Sequence, residues 1–491
     1  MINYTITKQG YVINKSEFSE NIINCIKTDL TVRPYTAFNA KKNIFKVYLE
    51  DDDTLCMPKF YAIERFTLPY VIYNNEGKDI NCISNIELRD TQKNIIPNIL
   101  EAYEKNGGGI LSLPCGFGKT IIALYFISLL KKKTLIIVHR EFLIHHWIDK
   151  IKQYLKNVKI SIIRSKNITM HECDIGICML QTLSKTEFPK NFFDSYSHII
   201  IDECHLVSTT IFSTIFFKIN SKFMLGLSAT PERKDNMSKV LKWHIGNIIP
   251  LNFINHKINI DVNRYVLNCD KENLLKNNED KFSNKLTKIL QSDIRNNIIV
   301  NILIEEIKKE NNRQILLLSD RIEHLENLKK ILKSNNFNSF GLFIGGMSKE
   351  QLDISAKSKI ILATYSMANE GLDIPTLNCL VLASPKIEIF QSIGRISRLQ
   401  ERNNYIKPLL IDFIDILSVF INESEKRLHI YRNNKYDVSD YVYDEYKQKF
   451  ELNLSKNKNY NIYLIDEKIQ ENKHVNNNSL VDDLFNSFGK Y

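Results

Sequence analysis

LSLPCGFGKT occupies residues 111–120, where an apolar run gives way to a second apolar run, IIALYFISLLKKK, at 121–133. The first run is strand-sized and the second reads as a helix, so the intervening loop closes a strand and opens a helix. Gly116 and Gly118 permit backbone angles that a β-carbon forbids, and successive N–H groups can then turn inward around a phosphate. A helix beginning at Lys119 adds a partial positive charge at its N-terminus. Lys119 can reach β- and γ-phosphates, and the Thr120 hydroxyl can ligate Mg²⁺. The spacing departs from G-x-x-x-x-G-K-T: Leu113 stands where the first glycine would be, with Pro114 and Cys115 leading into the loop. The bland alternative is a glycine-containing turn with a chance GKT, which the strand-then-helix context disfavours. The stretch specifies a nucleoside triphosphate and leaves the reaction open.

Outward from this loop the same unit repeats. TLIIVH (134–139) precedes FLIHHWIDKIKQYL (142–155), and IGICML (175–180), HIIID (198–202) and FMLGLSAT (223–230) complete about five buried strands. Short apolar runs alternating with helices predict a parallel α/β sheet. IIIDECHLV (199–207) ends its strand on Asp202 and Glu203, and the interval from Lys119 (202 − 119 = 83 residues) accommodates the intervening units. A carboxylate at that tip can hold Mg²⁺ through water, and Glu203 beside it is placed to orient or deprotonate an attacking water. Two acids at a strand end are usually a solvated turn; following a GKT loop at this distance they carry more. His205 is either a residue that senses the γ-phosphate or a solvent-facing histidine.

The pattern then begins again. After the polar stretch around 277–280 come an amphipathic segment at 284–309 and strands at QILLLS (314–319), SFGLFI (339–344), KIILAT (359–364), CLVLAS (379–384) and PLLIDF (408–413). Two α/β units in series are expected, at 86–255 and 256–430. Residues 1–85 read as a small β-rich or mixed accessory domain, and 431–491 as an extension formed by a helical appendage and a loose tail.

The chain has 491 residues, enough for about three domains. Hydrophobic residues at 44% and charged residues at 25% exclude a fibrous or wholly disordered chain. No run approaches the roughly 18 apolar residues of a membrane span, and MINYTITKQG lacks the layout of a secretory signal. The expectation is a protein that is not secreted and engages no membrane. Nine cysteines with no CxxC pair argue against a zinc ribbon or disulfide framework. A net charge of +10 is compatible with a polyanionic partner without establishing one. Cys115 and Cys204 read as small residues filling tight turns, with a thiol-sensitive site as the sharper alternative.

Together these segments resemble a superfamily 2 helicase or translocase over about residues 86–400. LRDTQ (88–92) resembles the segment preceding the phosphate loop, which implies that Gln92 reads adenine. IVHREFLIHHW (137–147) and LQTL (180–183) resemble backbone-contacting motifs, implying strand contacts at Arg140 and Thr182. DECH (202–205) is similar to the motif-II box and SAT (228–230) to the motif coupling ATP and strand sites. LSDRIEHL (318–325), ATYSMANEGLDIP (363–375) and QSIGRISR (391–398) resemble motifs IV, V and VI. By that resemblance Thr364, Ser366, Gly371 and Asp373 complete a strand-binding and nucleotide-sensing surface. Gln391, Arg395 and Arg398 are four and three residues apart, which puts them along one helix face. An arginine fork there would neutralise charge growing on the γ-phosphoryl group.

The loop LPCGFGKT and the upstream CMPKFYAIERFTLP (56–69) resemble the poxvirus transcript-release DNA helicase family of large cytoplasmic DNA viruses. The resemblance implies two RecA-like lobes using ATP and Mg²⁺, DNA-stimulated hydrolysis and 3′–5′ unwinding. It also implies a role in freeing nascent RNA from a viral RNA polymerase, in the host cytoplasm and the virion. Alternative readings are an RNA helicase of viral mRNA processing, acting on RNA or a DNA–RNA hybrid, and a polymerase-associated termination factor with little unwinding. Tyr436, Tyr441, Tyr443 and Tyr446 either stack on bases or pack a C-terminal helix.

Overall fold

A computed structural model describes residues 5–452 except 8, 34–43, 67–70, 73–76, 115, 166–171, 190, 208–214, 220, 232–236, 252–258, 268–281, 372–373, 388, 397–405, 417 and 445–448. Cys115, Asp373, Arg398 and Tyr446 therefore lie outside the described residues. The chain forms two compact units. Met1–Lys257 is joined in the first by Tyr365–Leu377 and Phe390–Tyr405; the second comprises Ile258–Thr364, Asn378–Ile389 and Ile406–Tyr491.

Numbering the strands of the two large sheets in chain order, the first sheet contains β1 Gly108–Ser112, β2 Thr134–Val138, β3 Ile160–Ile163, β4 Ile175–Met179, β5 His198–Ile201 and β6 Phe223–Ser228. The order across it is β3-β4-β2-β5-β6-β1, with every pair parallel. Parallel strands are covered by helices on both faces, which is why β2 and β5 read as unbroken apolar runs. Their alternate side chains feed two different cores. Ile136 and Val138 pack with Phe126, Trp147 and Ile151, whereas Leu135 and Ile137 pack with Leu183, Ile199 and Leu241. Each such fully buried aliphatic side chain contributes about 1.5–3 kcal/mol. The unexpected sixth strand, β3, is an edge strand whose first three residues are only partly buried, so its apolar signal is weak. Gly108, at φ +142°, runs against the Met224 backbone so closely that any β-carbon would collide with the Met224 carbonyl.

Residues ahead of this sheet form their own five-stranded sheet from Thr5–Thr7, Gly10–Asn14, Leu49–Glu50, Thr54–Met57 and Val71–Ile72. Its core joins Tyr11, Met57 and Tyr61 to Met237 and Val240, and the Tyr61 and Trp243 rings meet edge to face at 5.3 Å. This small sheet is thus built onto the helix Ser238–Ile245, within the same compact unit as the first large sheet.

In the second unit, β7 Asp261–Leu267, β8 Ile315–Ser319, β9 Phe340–Phe343, β10 Ile360–Thr364, β11 Cys379–Leu382, β12 Leu409–Asp415, β13 Asp437–Asp444 and β14 Lys449–Leu452 form an eight-stranded sheet. Its order is β9-β10-β8-β11-β12-β7-β13-β14, parallel except for the final β13–β14 pair. The amphipathic segment expected at 284–309 is two helices, Phe282–Leu290 and Asp293–Lys309, the second capped by the Ser292 hydroxyl. Among the described residues of the expected C-terminal extension, 431–491, the helix Ser418–Asn433 contributes only its last turn; two strands follow it and extend the sheet. Tyr441 lies on β13 and stacks on Tyr265 with ring centroids 4.9 Å apart, so it packs within a sheet and not on a helix.

This second unit carries charges in its interior. Arg295 makes a two-pronged pair with Asp415, at 2.6 and 2.9 Å, and donates to the Ala383 carbonyl. Arg427 grips Asp412 with 2.9 Å contacts to both oxygens, and the Tyr431 hydroxyl donates to the same carboxylate. All of these side chains are buried.

Candidate active site

The phosphate loop hangs from β1, and the helix Lys119–Leu130 follows it directly. Gly118 is the residue ahead of that helix and takes a left-handed φ of +94°. A β-carbon there would run into the Gln92 amide, so both conformation and space demand glycine. Gln92 is buried; its Nε2 donates to the Phe117 carbonyl at 2.8 Å, and its Oε1 accepts the Arg89 N–H at 3.0 Å. The Arg89 guanidinium also donates to the Phe117 carbonyl and reaches the Gly116 carbonyl at 3.5 Å. In a trans peptide the C=O and the next N–H point opposite ways, so holding the Phe117 carbonyl against Arg89 and Gln92 turns the Gly118 N–H away from them. That is the orientation an anion cradle needs. Lys119 Nζ donates to the Leu113 carbonyl at 3.0 Å, inside the loop.

Because the sheet is parallel, β1, β5 and β6 all deliver their C-terminal ends to one edge, with β6 between the other two. The phosphate loop, Asp202 and Ser228–Thr230 are the residues that follow those three ends. Asp202 continues β5 with its N–H bonded to the Ile137 carbonyl, and its two carboxylate oxygens accept from the Glu203 N–H (3.1 Å) and the Trp147 indole (2.9 Å). Glu203 has φ +47°, a left-handed conformation costing a non-glycine residue about 1 kcal/mol or more. Its Oε2 is 3.3 Å from His205 Nδ1, which also meets the Ser228 hydroxyl at 3.1 Å. That hydroxyl accepts the Thr230 N–H at 3.1 Å. His205 is half-buried and links the DECH segment to the SAT segment.

The donor set fits a magnesium nucleotide. Mg²⁺ binds through one or two protein oxygens while keeping waters and substrate phosphates, and Asp202 with the Thr120 hydroxyl supplies donors of that kind. Cys204 is fully buried against Gly226, and burial, reinforced by the Glu203 and Asp202 charges, pushes its thiol well above the usual range.

Two of the expected strand contacts, Arg140 and Thr182, sit on neighbouring segments. Arg140 is exposed and precedes the helix Glu141–Tyr154, and Thr182 is half-buried on the helix Leu180–Lys185. Gln181 Nε2 donates to the His139 carbonyl at 2.9 Å, tying these two segments together. Burial and the adjacent Arg140 lower His139 to about 4, so it is neutral at physiological pH. Thr364 ends β10 and is buried, and Gly371 closes the helix Tyr365–Gly371. Gln391 and Arg395 share the helix Phe390–Ile396, which belongs to the same compact unit as the phosphate loop. Sequence reasoning missed Arg89 and Trp147. Arg89 had a signal, a cation three residues before Gln92 in LRDTQ; Trp147 closed the IVHREFLIHHW segment with no role of its own assigned.

Comparison with known proteins places these features in a family. A family profile described as "Type III restriction enzyme, res subunit" matches residues 85–233, and one described as "Helicase conserved C-terminal domain" matches residues 297–400. A "Putative ATP-dependent RNA helicase" of Acanthamoeba polyphaga mimivirus is 33% identical over 478 residues, covering 92% of this chain and 89% of that one. A "Transcript termination protein" of Yaba-like disease virus is 26% identical over 395 residues, covering 74% and 81%. Among solved structures, a fragment of an HsdR subunit of a type I restriction enzyme from Vibrio vulnificus superposes with a TM-score of 0.53 at 17% identity, covering 75% of this chain and 71% of that one. That likeness shows the fold: two RecA-like parallel-sheet domains.

Proposed function

The chain belongs to the superfamily 2 helicases, and from that membership we propose that it is an ATP-driven DNA translocase that releases transcripts during viral transcription. ATP use and nucleic-acid binding come with the family. The observation that carries the reading is the path beside the phosphate loop in which Glu203 lies 3.3 Å from His205, and His205 and Thr230 both hydrogen-bond the Ser228 hydroxyl, because it links the hydrolytic carboxylate to a second segment of the same sheet edge.

In this reading residues 86–255 are the ATP-binding lobe and 256–430 the second lobe. Residues 1–85 are an accessory domain, and 431–491 an extension whose first strands complete the second sheet. Gln92 reads the base while Gly116, Gly118 and Lys119 receive the phosphates. Thr120 and Asp202 would hold Mg²⁺, which supplies charge neutralisation at the phosphates when bound. Glu203 orients the attacking water and accepts its proton. Gln391, Arg395 and Arg398 face the γ-phosphoryl group, with Gly371 and Asp373 completing the nucleotide-sensing surface; an arginine in that role is worth about 10³–10⁵ in rate. Arg140, Thr182 and Thr364 contact the strand through its phosphates, giving sequence-independent, salt-sensitive binding.

The transcript-release role is supported by the name of the Yaba-like disease virus relative, and implies a viral RNA polymerase as partner. It also implies a host-cytoplasmic and virion location, compatible with the fact that among the described residues no helix is long and apolar enough to cross a membrane. The mimivirus relative's name favours a second reading, an RNA helicase of mRNA processing. ATP hydrolysis measured in parallel with no polymer, single-stranded DNA, duplex DNA and RNA separates the two. Stimulation by DNA over RNA is the expected result; preference for RNA moves the assignment to the second reading.

A further inference from the structure

Asp202 has its carboxylate set from two directions, and one of them is a side chain outside the motifs read as catalytic. Trp147 is completely buried, packed among Leu143, Ile144 and Ile151, and its indole N–H donates to Asp202 Oδ2 at 2.9 Å. The second oxygen, Oδ1, takes the Glu203 N–H at 3.1 Å. An indole N–H is a donor only, so it bonds the ionised carboxylate without competing for a cation. Each oxygen keeps lone-pair capacity after one such bond. A buried indole also requires a partner for its N–H, so ring and carboxylate fix one another.

We propose that Trp147 is a positioning residue for the metal-holding carboxylate: it locks the Asp202 rotamer so that its remaining lone pairs meet the cation without rearrangement. This rests on the reading that Asp202 holds Mg²⁺. Hydrogen-bond partners behind a metal ligand orient it, and their loss costs about 10–100-fold in metal affinity or activity. The same helix begins beside Arg140, so the indole that sets the carboxylate is two turns from an expected strand contact.

The test compares Trp147→Phe with Asp202→Asn and wild type, following displacement of a fluorescent ATP analogue as Mg²⁺ is titrated. Phenylalanine keeps most of the packing and removes only the donor. Trp147→Phe is expected to bind metal-free nucleotide as wild type does and to need roughly 10- to 100-fold more Mg²⁺ for half-maximal binding of the complex. A Mg²⁺ titration superimposable on wild type, with Asp202→Asn impaired, overturns the proposal and leaves the Asp202 reading intact. If Asp202→Asn also titrates like wild type, the underlying assignment fails instead. A purely packing role lowers the melting temperature of Trp147→Phe and leaves its titration unmoved, which also counts against positioning. Should that variant not fold, Trp243→Phe makes Trp147 the sole indole, since the chain has two tryptophans. Its emission is then expected to respond to Mg²⁺ with ATP and to lose that response when Asp202→Asn is added; an indifferent emission overturns the proposal.

Discussion

His205 Nδ1 lies 3.1 Å from the Ser228 hydroxyl, and through it the acidic strand end on β5 is bonded to the end of β6. The Ser228 hydroxyl also accepts the Thr230 N–H, so removing it severs both connections while leaving the carboxylates in place. Ser228→Ala is expected to keep ATP turnover within about threefold of wild type while strand displacement falls roughly 2- to 30-fold, the size of coupling one contact along such a path carries. Equal losses in hydrolysis and displacement would show that Ser228 serves the chemistry itself.

Arg89 braces the phosphate loop from behind, through the Phe117 and Gly116 carbonyls. Arg89→Ala leaves Lys119 and both loop glycines untouched, yet frees the peptide that turns the Gly118 N–H. Steady-state kinetics should show KM for ATP rising about tenfold, corresponding to 1–1.5 kcal/mol of lost loop order, with a smaller change in kcat. Lys119→Ala is the contrasting control, expected to abolish turnover while strand binding survives. An unchanged KM in Arg89→Ala would mean that Gln92 alone sets the loop.

The interior pair of Arg427 and Asp412 predicts an asymmetric response to mutation. Both side chains are essentially inaccessible, so removing one partner strands a buried charge and costs about 3–5 kcal/mol. Asp412→Asn should therefore expose β12 amides to hydrogen exchange, whereas a double replacement by apolar residues of similar volume should restore most of the protection. Equal protection in wild type and Asp412→Asn would rule the pair out as a structural tie.

Two histidines make the first large sheet's unit acid-sensitive. Burial holds His198 and His244 down to about 3, against about 6.5 in the unfolded chain. The unfolded state takes up these protons first, so stability is complete above about pH 6.5 and falls as pH drops toward 3. Within that window each histidine contributes a slope of about 1.4 kcal/mol per pH unit. His198 bonds Tyr103 at 2.8 Å and Thr134 at 3.3 Å as a neutral ring, and His198→Gln should flatten the dependence of melting temperature on pH between 7 and 5. A wild-type melting temperature constant over that interval would contradict the assignment.

Much of the architecture was written locally. Strands buried on both faces, such as β2 and β8, are unbroken apolar runs, and the loop between β1 and its helix carries its own conformational demands in Gly116 and Gly118. What stayed hidden depends on partners far along the chain. β7 and β13 interrupt their apolar residues with polar pairs, Asn263–Arg264 and Ser439–Asp440; Arg264 on β7 is buried against Asp440 on β13 at 3.2 Å and the Ser424 hydroxyl at 3.2 Å, partners from the far end of the unit. Tyr441 was open between stacking on bases and packing on a helix, and it packs instead on Tyr265, from the start of the same unit. Trp147 was passed over for the same reason: it sits at the core-facing spacing of its helix, while its hydrogen bond crosses to Asp202, 55 residues on.

The position of β7 has a consequence for how this polypeptide matures during synthesis. It is the first strand of the second large sheet to leave the ribosome, yet both of its neighbours, β12 and β13, come from the far end of that unit. The strands of the first large sheet pair only with one another and can do so while translation continues, but β7 must wait, its amide and carbonyl edges open, until the chain beyond Leu409 is made. Pairings that distant close slowly and leave sticky edges exposed meanwhile. A chain cut anywhere between Leu267 and Leu409 therefore carries β7 with neither of its neighbours.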